Sequence, residues 1–338
     1  MTSTMKASFL LKQGELAVKE IDVPTLDADE VLIKVAAVGV CGSDVHYYQH
    51  GKIGPYVVEK PMILGHELSG VITAVGSAVD QGRVGKRVAV EPQRPCRNCE
   101  QCKAGRYNLC PNIEFYATPP IDGAFAEYVK IQSEFAFDIP DNVSFEAAAL
   151  IEPLSVCVWA AQKAEIKAGS RVLIAGAGPI GVIMAQVASA FGASEVIITD
   201  IAEDRRNFAL KYGATKALDP RVDQIEGLGV NAFVDASGVA QAVYQGIKAV
   251  GPAGRVLLVG LGQEDMNLPV SHIQNNEIWV TGVFRYANTW PTGIELVASG
   301  KVNLDVLVTH KFGLDEVESA LNAGKQPGSM KIIVNPGV

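Results

Sequence analysis

Three short stretches, far apart in the chain, hold the residue types that a catalytic metal needs. The first is Val38-Gly39-Val40-Cys41-Gly42-Ser43-Asp44-Val45-His46, where a lone cysteine follows an apolar run and polar, titratable residues come at once. The second is Gly65-His66-Glu67, and the third is Glu152, isolated in Ala149-Leu150-Ile151-Glu152-Pro153-Leu154. One thiolate, one imidazole and one or two carboxylates form the mixed set expected of a catalytic zinc, which keeps three protein ligands and one open position. Taken singly, each residue reads more readily as packing, since a free cysteine is commonly a small buried hydrophobe; the rest of the chain is what favours the metal. Neighbouring residues in an extended chain point oppositely, so His66 and Glu67 can share a metal only if the chain bends there.

A second cluster is local. Cys96, Cys99, Cys102 and Cys110 are spaced C-x2-C-x2-C-x7-C. Four thiolates that close enclose one zinc tetrahedrally and leave no room for substrate, which predicts a structural site. An iron–sulfur cluster is the rival, because Pro111 follows Cys110. Bacterial ferredoxins, however, use a last spacing of roughly three, not the seven found here. Arg94, Arg97, Lys103 and Arg106 surround the cysteines. They are expected to offset the negative charge of a zinc held by thiolates, which explains a basic cluster without nucleic acid.

The third chemical centre is Gly176-Ala177-Gly178-Pro179-Ile180-Gly181. It follows a continuous apolar strand, residues 171–175, of the kind buried in parallel sheets. Helical spacing then covers 182–191, and Asp200 ends a second strand 22 residues past Gly178. In that context GxGxxG is a dinucleotide fingerprint. The glycines allow the turn and the close approach of a pyrophosphate to the helix N-terminus. Asp200 is expected to accept hydrogen bonds from the adenosine ribose and to repel a 2′-phosphate, predicting NAD rather than NADP. Arg205 is expected to flank the adenine side.

The elements that must position these groups read as two kinds of fold. Residues 5–35 alternate short apolar runs with turn residues, a β-rich start, and the 31–38 strand delivers the chain to Cys41. The polar stretch after it, through Tyr47, Tyr48, His50 and Gly51, reads as irregular chain. Strands are expected at 71–76 and 124–129, and a helix over 145–164 with a break near Glu152 and Pro153. From 171 onward strand and helix alternate: helix 202–212, strand 232–235, helix 240–250, strand 255–259 and a last strand over 277–284. Gly260-Leu261-Gly262 ends one of these strands, where open α/β sheets meet their ligands. Cys157 reads as a packed core thiol, and His50, His272 and His310 as surface or structural residues.

With 338 residues, two domains are expected. The 29 basic and 37 acidic residues give a net charge of −8, so no global field favours nucleic acid or an anionic membrane. No apolar run of about 20 residues suggests a transmembrane helix, and the N-terminal residues do not resemble a secretory signal. A cytoplasmic, reducing location is expected, where six cysteines serve metal or catalysis before disulfides.

Together these motifs resemble the zinc-dependent medium-chain dehydrogenase/reductase superfamily over essentially the whole chain. Its signature reads here Gly65-His66-Glu67-x2-Gly70-x5-Gly76-x2-Val79. Within it the chain is most similar to the sorbitol (L-iditol) and xylitol dehydrogenase group of polyol dehydrogenases. That likeness rests on Cys41-Gly42-Ser43-Asp44-Val45-His46-Tyr47, Phe115-Tyr116-Ala117-Thr118-Pro119-Pro120, Glu152-Pro153-Leu154-Ser155-Val156 and Phe284-Arg285-Tyr286-Ala287-Asn288-Thr289-Trp290-Pro291.

The resemblance implies an α/β fold in three chain segments. A GroES-like, β-rich catalytic domain would cover 1–154, with its zinc lobe at 94–111. A Rossmann doubly wound parallel-sheet domain for NAD would cover 155–284, and 285–338 would return to the catalytic domain. Cys41, His66 and Glu67 would hold the catalytic zinc, with Glu152 binding it or hydrogen-bonding its water; the sequence does not rank Glu67 against Glu152. Ser43 and His46 would pass the proton outward, an imidazole titrating near about 6.5. Tyr47, Phe115, Glu152, Arg285 and Tyr286 would contact substrate. Pro179, Ile180, Val259, Gly260, Leu261, Val283, Phe284 and Arg285 would line NAD beside the fingerprint glycines. Two zincs per chain, a homotetramer, and a polyol oxidised at a secondary hydroxyl to a ketose complete the expectation. The alternatives are a threonine or simple secondary-alcohol dehydrogenase of the same superfamily, and a non-catalytic NAD-binding structural protein.

Overall fold

The computed structural model describes residues 4–337. Two compact units divide the chain: one runs to Glu152 and resumes at Leu304, and the other is Pro153–Asn303. The sequence reading put the return at 285, whereas the second unit continues to Asn303. There the Asn303 N–H donates to Gln186 Oε1 at 2.8 Å and its carbonyl accepts from Gln186 Nε2 at 3.2 Å, tying it to the helix Pro179–Ala190.

The first unit is built on a seven-stranded sheet. Its path runs Ala136–Asp138, Arg87–Val90, Glu67–Val75, Glu30–Gly39, Lys331–Asn335 and Val308–Gly313, with Tyr128–Gln132 beside the first half of Glu30–Gly39. Glu30–Gly39 has neighbours on both sides, and apart from exposed Lys34 and half-buried Ala36 its side chains are buried, which is why it reads as a nearly continuous apolar run. Register matters most at its last residue. Gly39 pairs with Glu67 on one side and with Ile333 on the other. A Cβ on Gly39 would lie 2.1 Å from Glu67 Oε2, so glycine there makes room for that carboxylate. Leu64, Leu68, Ile72, Phe125 and Ile131 are among the fully buried residues of this unit's core.

Two local expectations change. The stretch after Cys41, read as irregular, is a helix, Gly42–His50. Asp44 in its first turn accepts from the Cys41 N–H at 2.9 Å, and Gly51 (φ 70°) ends it. The strand expected at 124–129 is Tyr128–Gln132 instead. Ala124 and Phe125 N–H groups are drawn away to the Leu64 carbonyl, at 3.0 and 2.9 Å.

The second unit carries a six-stranded sheet, parallel throughout. Its order is Lys216–Leu218, Glu195–Thr199, Arg171–Ala175, Val230–Asp235, Val250–Leu258, Trp279–Gly282. In sequence terms that is third, second, first, fourth, fifth, sixth, the doubly wound dinucleotide-binding order. The chain reverses direction across the sheet between Arg171–Ala175 and Val230–Asp235, where such folds take their ligand. Leu173, Ile197, Phe233, Val243 and Val256 belong to a separate core. The last strand is shorter than the 277–284 expected, since Glu277 takes a left-handed conformation (φ 47°) before it.

Candidate functional site

Cys41, His66 and Glu67 each offer a ligand atom, and the three atoms lie within 4.8 Å of one another. Each arrives by a different device. Cys41 stands at the start of the Gly42–His50 helix. Gly65, left-handed at φ 88°, supplies the bend that His66 and Glu67 need, and Glu67 opens the strand facing Gly39. Fully buried Asp44 fastens the two segments: Oδ2 accepts from the Cys41 N–H and Oδ1 from the Gly65 N–H, both at 2.9 Å. Its Oδ1 is also 3.7 Å from His66 Nδ1.

The cluster is electrostatically arranged for a cation. Burial opposes a charged His66 ring, yet the negative charges of Cys41 and Asp44 outweigh it and hold the ring's pKa up at about 10. Burial pushes the Asp44 carboxyl up, against the pull of His66 and the two amides. His66 Nδ1 is buried without a hydrogen-bond partner. Thiolate, imidazole and carboxylate are the donors zinc takes at a catalytic site, so the residues present fit that ion. The Phe115 ring lies 5.5 Å from the His66 ring and forms an apolar wall. Glu152 is buried and falls outside the three-atom set, but its charge helps to raise the pKa of both His66 and Lys331.

Sequence reasoning missed Lys331. It is buried on the strand Lys331–Asn335, and its Nζ donates to Glu67 Oε1 at 2.7 Å and to the Val40 carbonyl at 2.9 Å. No local spacing announces it; only the register of that strand beside Gly39 brings it there.

The four lobe cysteines also converge, their sulfurs within 4.8 Å of one another and none in a disulfide. Backbone amides reinforce the grouping: Cys96 N–H points to Cys110 Sγ and Cys102 N–H to Cys99 Sγ, each at 3.4 Å. Amides of Asn98 and Cys99 hold the Cys96 thiol down at about 6, while burial pushes Cys102 up to about 12. Two of the four basic residues also do something the sequence did not suggest. Arg97 pairs with Glu134 at 2.7 Å and Arg94 with buried Glu30 at 2.5 Å, so both bind the lobe to the rest of its unit.

In the second unit Asp200 is locked beside the glycine loop. Its Oδ2 accepts from the Ala177 N–H and its Oδ1 from the Ala202 N–H, both at 2.8 Å. A Cβ on Gly181 would stand 1.8 Å from the Gly176 carbonyl oxygen, so the turn demands glycine. Pro179 begins the helix, with Ile180 beside it, and an Arg205 guanidinium nitrogen is 3.7 Å from where a Gly178 Cβ would be. Val259 and Gly260 both donate to the Asp235 carbonyl, at 3.0 and 2.9 Å, and the Val283 N–H donates to Leu258 at 3.0 Å. Leu261 and Phe284 are exposed.

The substrate candidates are scattered in environment. Arg285 is left-handed (φ 52°) and lays its guanidinium 4.8 Å over the Phe284 ring. Tyr286 is fully buried, edge-on to Trp290 at 6.0 Å, and Tyr47 lies in the core of the first unit. Ser43 is half-buried and His46 exposed, three residues apart on one helix.

Comparison with known proteins places the chain. Residues 27–141 match the alcohol dehydrogenase GroES-like domain and residues 179–299 the zinc-binding dehydrogenase family. The sorbitol dehydrogenase of Bacillus subtilis (strain 168) is 46% identical over 343 residues, covering 98% of this chain and 97% of that protein. That of Bos taurus is 42% identical over 331 residues, covering 95% and 93%. A solved alcohol dehydrogenase (rspB) of Escherichia coli CFT073, complexed with NADH, superposes with a TM-score of 0.92 at 29% identity, covering 99% of this chain and 100% of that one. The chain belongs to the GroES-like, zinc-binding alcohol dehydrogenase family.

Proposed function

We propose that this chain is a zinc- and NAD-dependent polyol dehydrogenase, oxidising a secondary hydroxyl of a sugar alcohol such as sorbitol or xylitol to the ketose. The observation that carries this reading is the convergence of Cys41, His66 and Glu67 within 4.8 Å in a chain 46% identical to a sorbitol dehydrogenase. Alcohol and NAD+ give ketone, NADH and one proton: the carbinol C–H leaves as hydride and the O–H as a proton. Cys41, His66 and Glu67 would hold the zinc, which would supply Lewis acidity that lowers the pKa of the hydroxyl.

The chain's own residues do the rest. Asp44 preassembles the donor set by holding two segments at once. Ser43 and His46, one turn apart on the same helix face, lead from a half-buried hydroxyl to an exposed imidazole, a path by which the proton leaves. Phe115 keeps water from one side of His66, and Glu152 hydrogen-bonds a water or substrate hydroxyl. Arg285 and Tyr286 are the residues assigned to selecting a polyol, through polar groups that an alkyl alcohol cannot match. Asp200 favours NAD by repelling a 2′-phosphate. The cysteine lobe takes a second, structural zinc. A homotetramer in the cytoplasm is the assembly and location we propose; no helix of the described residues is long and apolar enough to cross a membrane.

Initial rates with sorbitol, xylitol, L-arabinitol, threonine and 2-propanol, each with NAD and NADP, test the reading before and after strong chelation. Polyol turnover with NAD that chelation abolishes is expected. Turnover of threonine or 2-propanol alone would overturn the role given to Arg285 and Tyr286. Sedimentation velocity, expecting four chains, tests the assembly.

A further inference from the structure

His46 and His50 lie one turn apart on the helix Gly42–His50, and both are exposed. Their rings are already together, with centroids 4.5 Å apart and planes tilted by 52°. Residues at i and i+4 share one helix face, and two histidines at that spacing are the ligand pair that helical zinc motifs use. Being exposed, either ring can turn to aim a nitrogen at a common point without losing core packing. The other histidines are differently engaged: His66 sits in the metal cluster, His272 bonds the Val250 carbonyl at 3.0 Å, and His310 stacks on Phe312.

We propose that His46 and His50 form a binding site for a divalent transition-metal ion, distinct from the Cys41–His66–Glu67 cluster and from the cysteine lobe. Imidazole pairs suit Zn2+, Ni2+ and Cu2+, with water completing the sphere, whereas Mg2+ and Ca2+ seek oxygen ligands. One consequence rests on the proton path described above. A metal on His46 takes the lone pair that accepts the proton, so excess metal slows the oxidation.

The test is calorimetric titration of Ni2+ into zinc-loaded protein, with zinc content measured before and after to detect exchange at the thiolates. One Ni2+ per chain is expected on the native protein, with no heat from Mg2+. His50→Gln should weaken Ni2+ by about tenfold or more, the scale on which a single change in a ligand shell acts. His50 lies outside the catalytic machinery, so His50→Gln should keep full turnover without nickel and resist inhibition by it. Nickel binding undiminished in His50→Gln, or accompanied by stoichiometric zinc release, would overturn the site. Binding that depends on His50 but leaves turnover untouched would confirm the site and overturn the relay role of His46, which loss of nickel-free activity in His46→Gln tests separately.

Discussion

Glu67 has one buried cation beside it and stands where it can take a second, and that sets its behaviour. Its carboxylate belongs to the metal set while Lys331, buried with it, donates at 2.7 Å. Removing one partner of a buried ion pair typically costs about 3–5 kcal/mol, because the other charge is left uncompensated. Lys331→Met should therefore melt well below the native chain when both are stripped of metal. Bound zinc supplies positive charge beside Glu67, so the deficit should shrink when zinc is restored. Scanning calorimetry with chelator and with zinc decides it: an equal deficit in both would mean that Lys331 acts through packing alone. Glu91 gives the pH-dependent counterpart. Burial pushes its carboxyl up to about 7 from 4.5, although Gln93 and Tyr107 donate to it. The folded chain thus keeps a proton that the unfolded chain releases between pH 4.5 and about 7, and stability from this group is lost as pH rises through that window. One pKa unit is worth about 1.4 kcal/mol. Glu91→Gln is neutral at every pH, so its Tm relative to native should rise between about pH 5 and pH 8; a gap independent of pH would show that Glu91 ionises as a free carboxyl does.

Elements differ in how openly the sequence declares them, and the reason is what they bury. The parallel sheet was legible because its strands are apolar on both faces and its glycine turn has one reading in that setting. The helix after Cys41 was not. Its buried side chains are Asp44 and Tyr47, so it lacks the apolar stripe by which a helix is recognised. What marked it was subtler: an acid three residues after Cys41, accepting from that residue's amide as in a helix-starting box. Cys41, His66 and Glu67 were legible as chemistry, but Lys331 was not, since its tie to Glu67 spans 264 residues. The cysteine lobe shows a third case, its sequence clear and its elements slight: Gln93–Arg94, Glu100–Lys103, Tyr107–Leu109 and Glu114–Phe115. With so little core, the lobe has the Arg94 and Arg97 ion pairs to order it, and the zinc proposed for its four cysteines would add to them. Cys99→Ser should cost one of two zinc equivalents and make amides at 96–110 exchange quickly, while the strand Glu67–Val75 keeps its protection. Loss of protection in that strand too would mean that the lobe is not a separable element.

At the scale of the whole chain, each unit has its own core and its own ligand chemistry: Ile33 and Leu68 with the thiolate and carboxylate donors, Phe233 and Val256 with the glycine loop. A ligand that binds only the native state stabilises what it binds, by about 2.7 kcal/mol at a hundred times its Kd. Saturating NAD should therefore slow amide exchange in Arg171–Ala175 and Glu195–Thr199 most strongly. Zinc removal should speed it around Cys41 and in the first residues of Glu67–Val75. Asp200→Ala separates the two effects, because Asp200 holds the Ala177 and Ala202 amides and is the residue to which the proposed preference for NAD is assigned. In that variant the protection from NAD should fall, NADP should gain relative to NAD in turnover, and the response to chelation should stay as it was. If Asp200→Ala also altered the response to chelation, the two units would be unfolding as one cooperative body, and the separate cores would not be separate in stability.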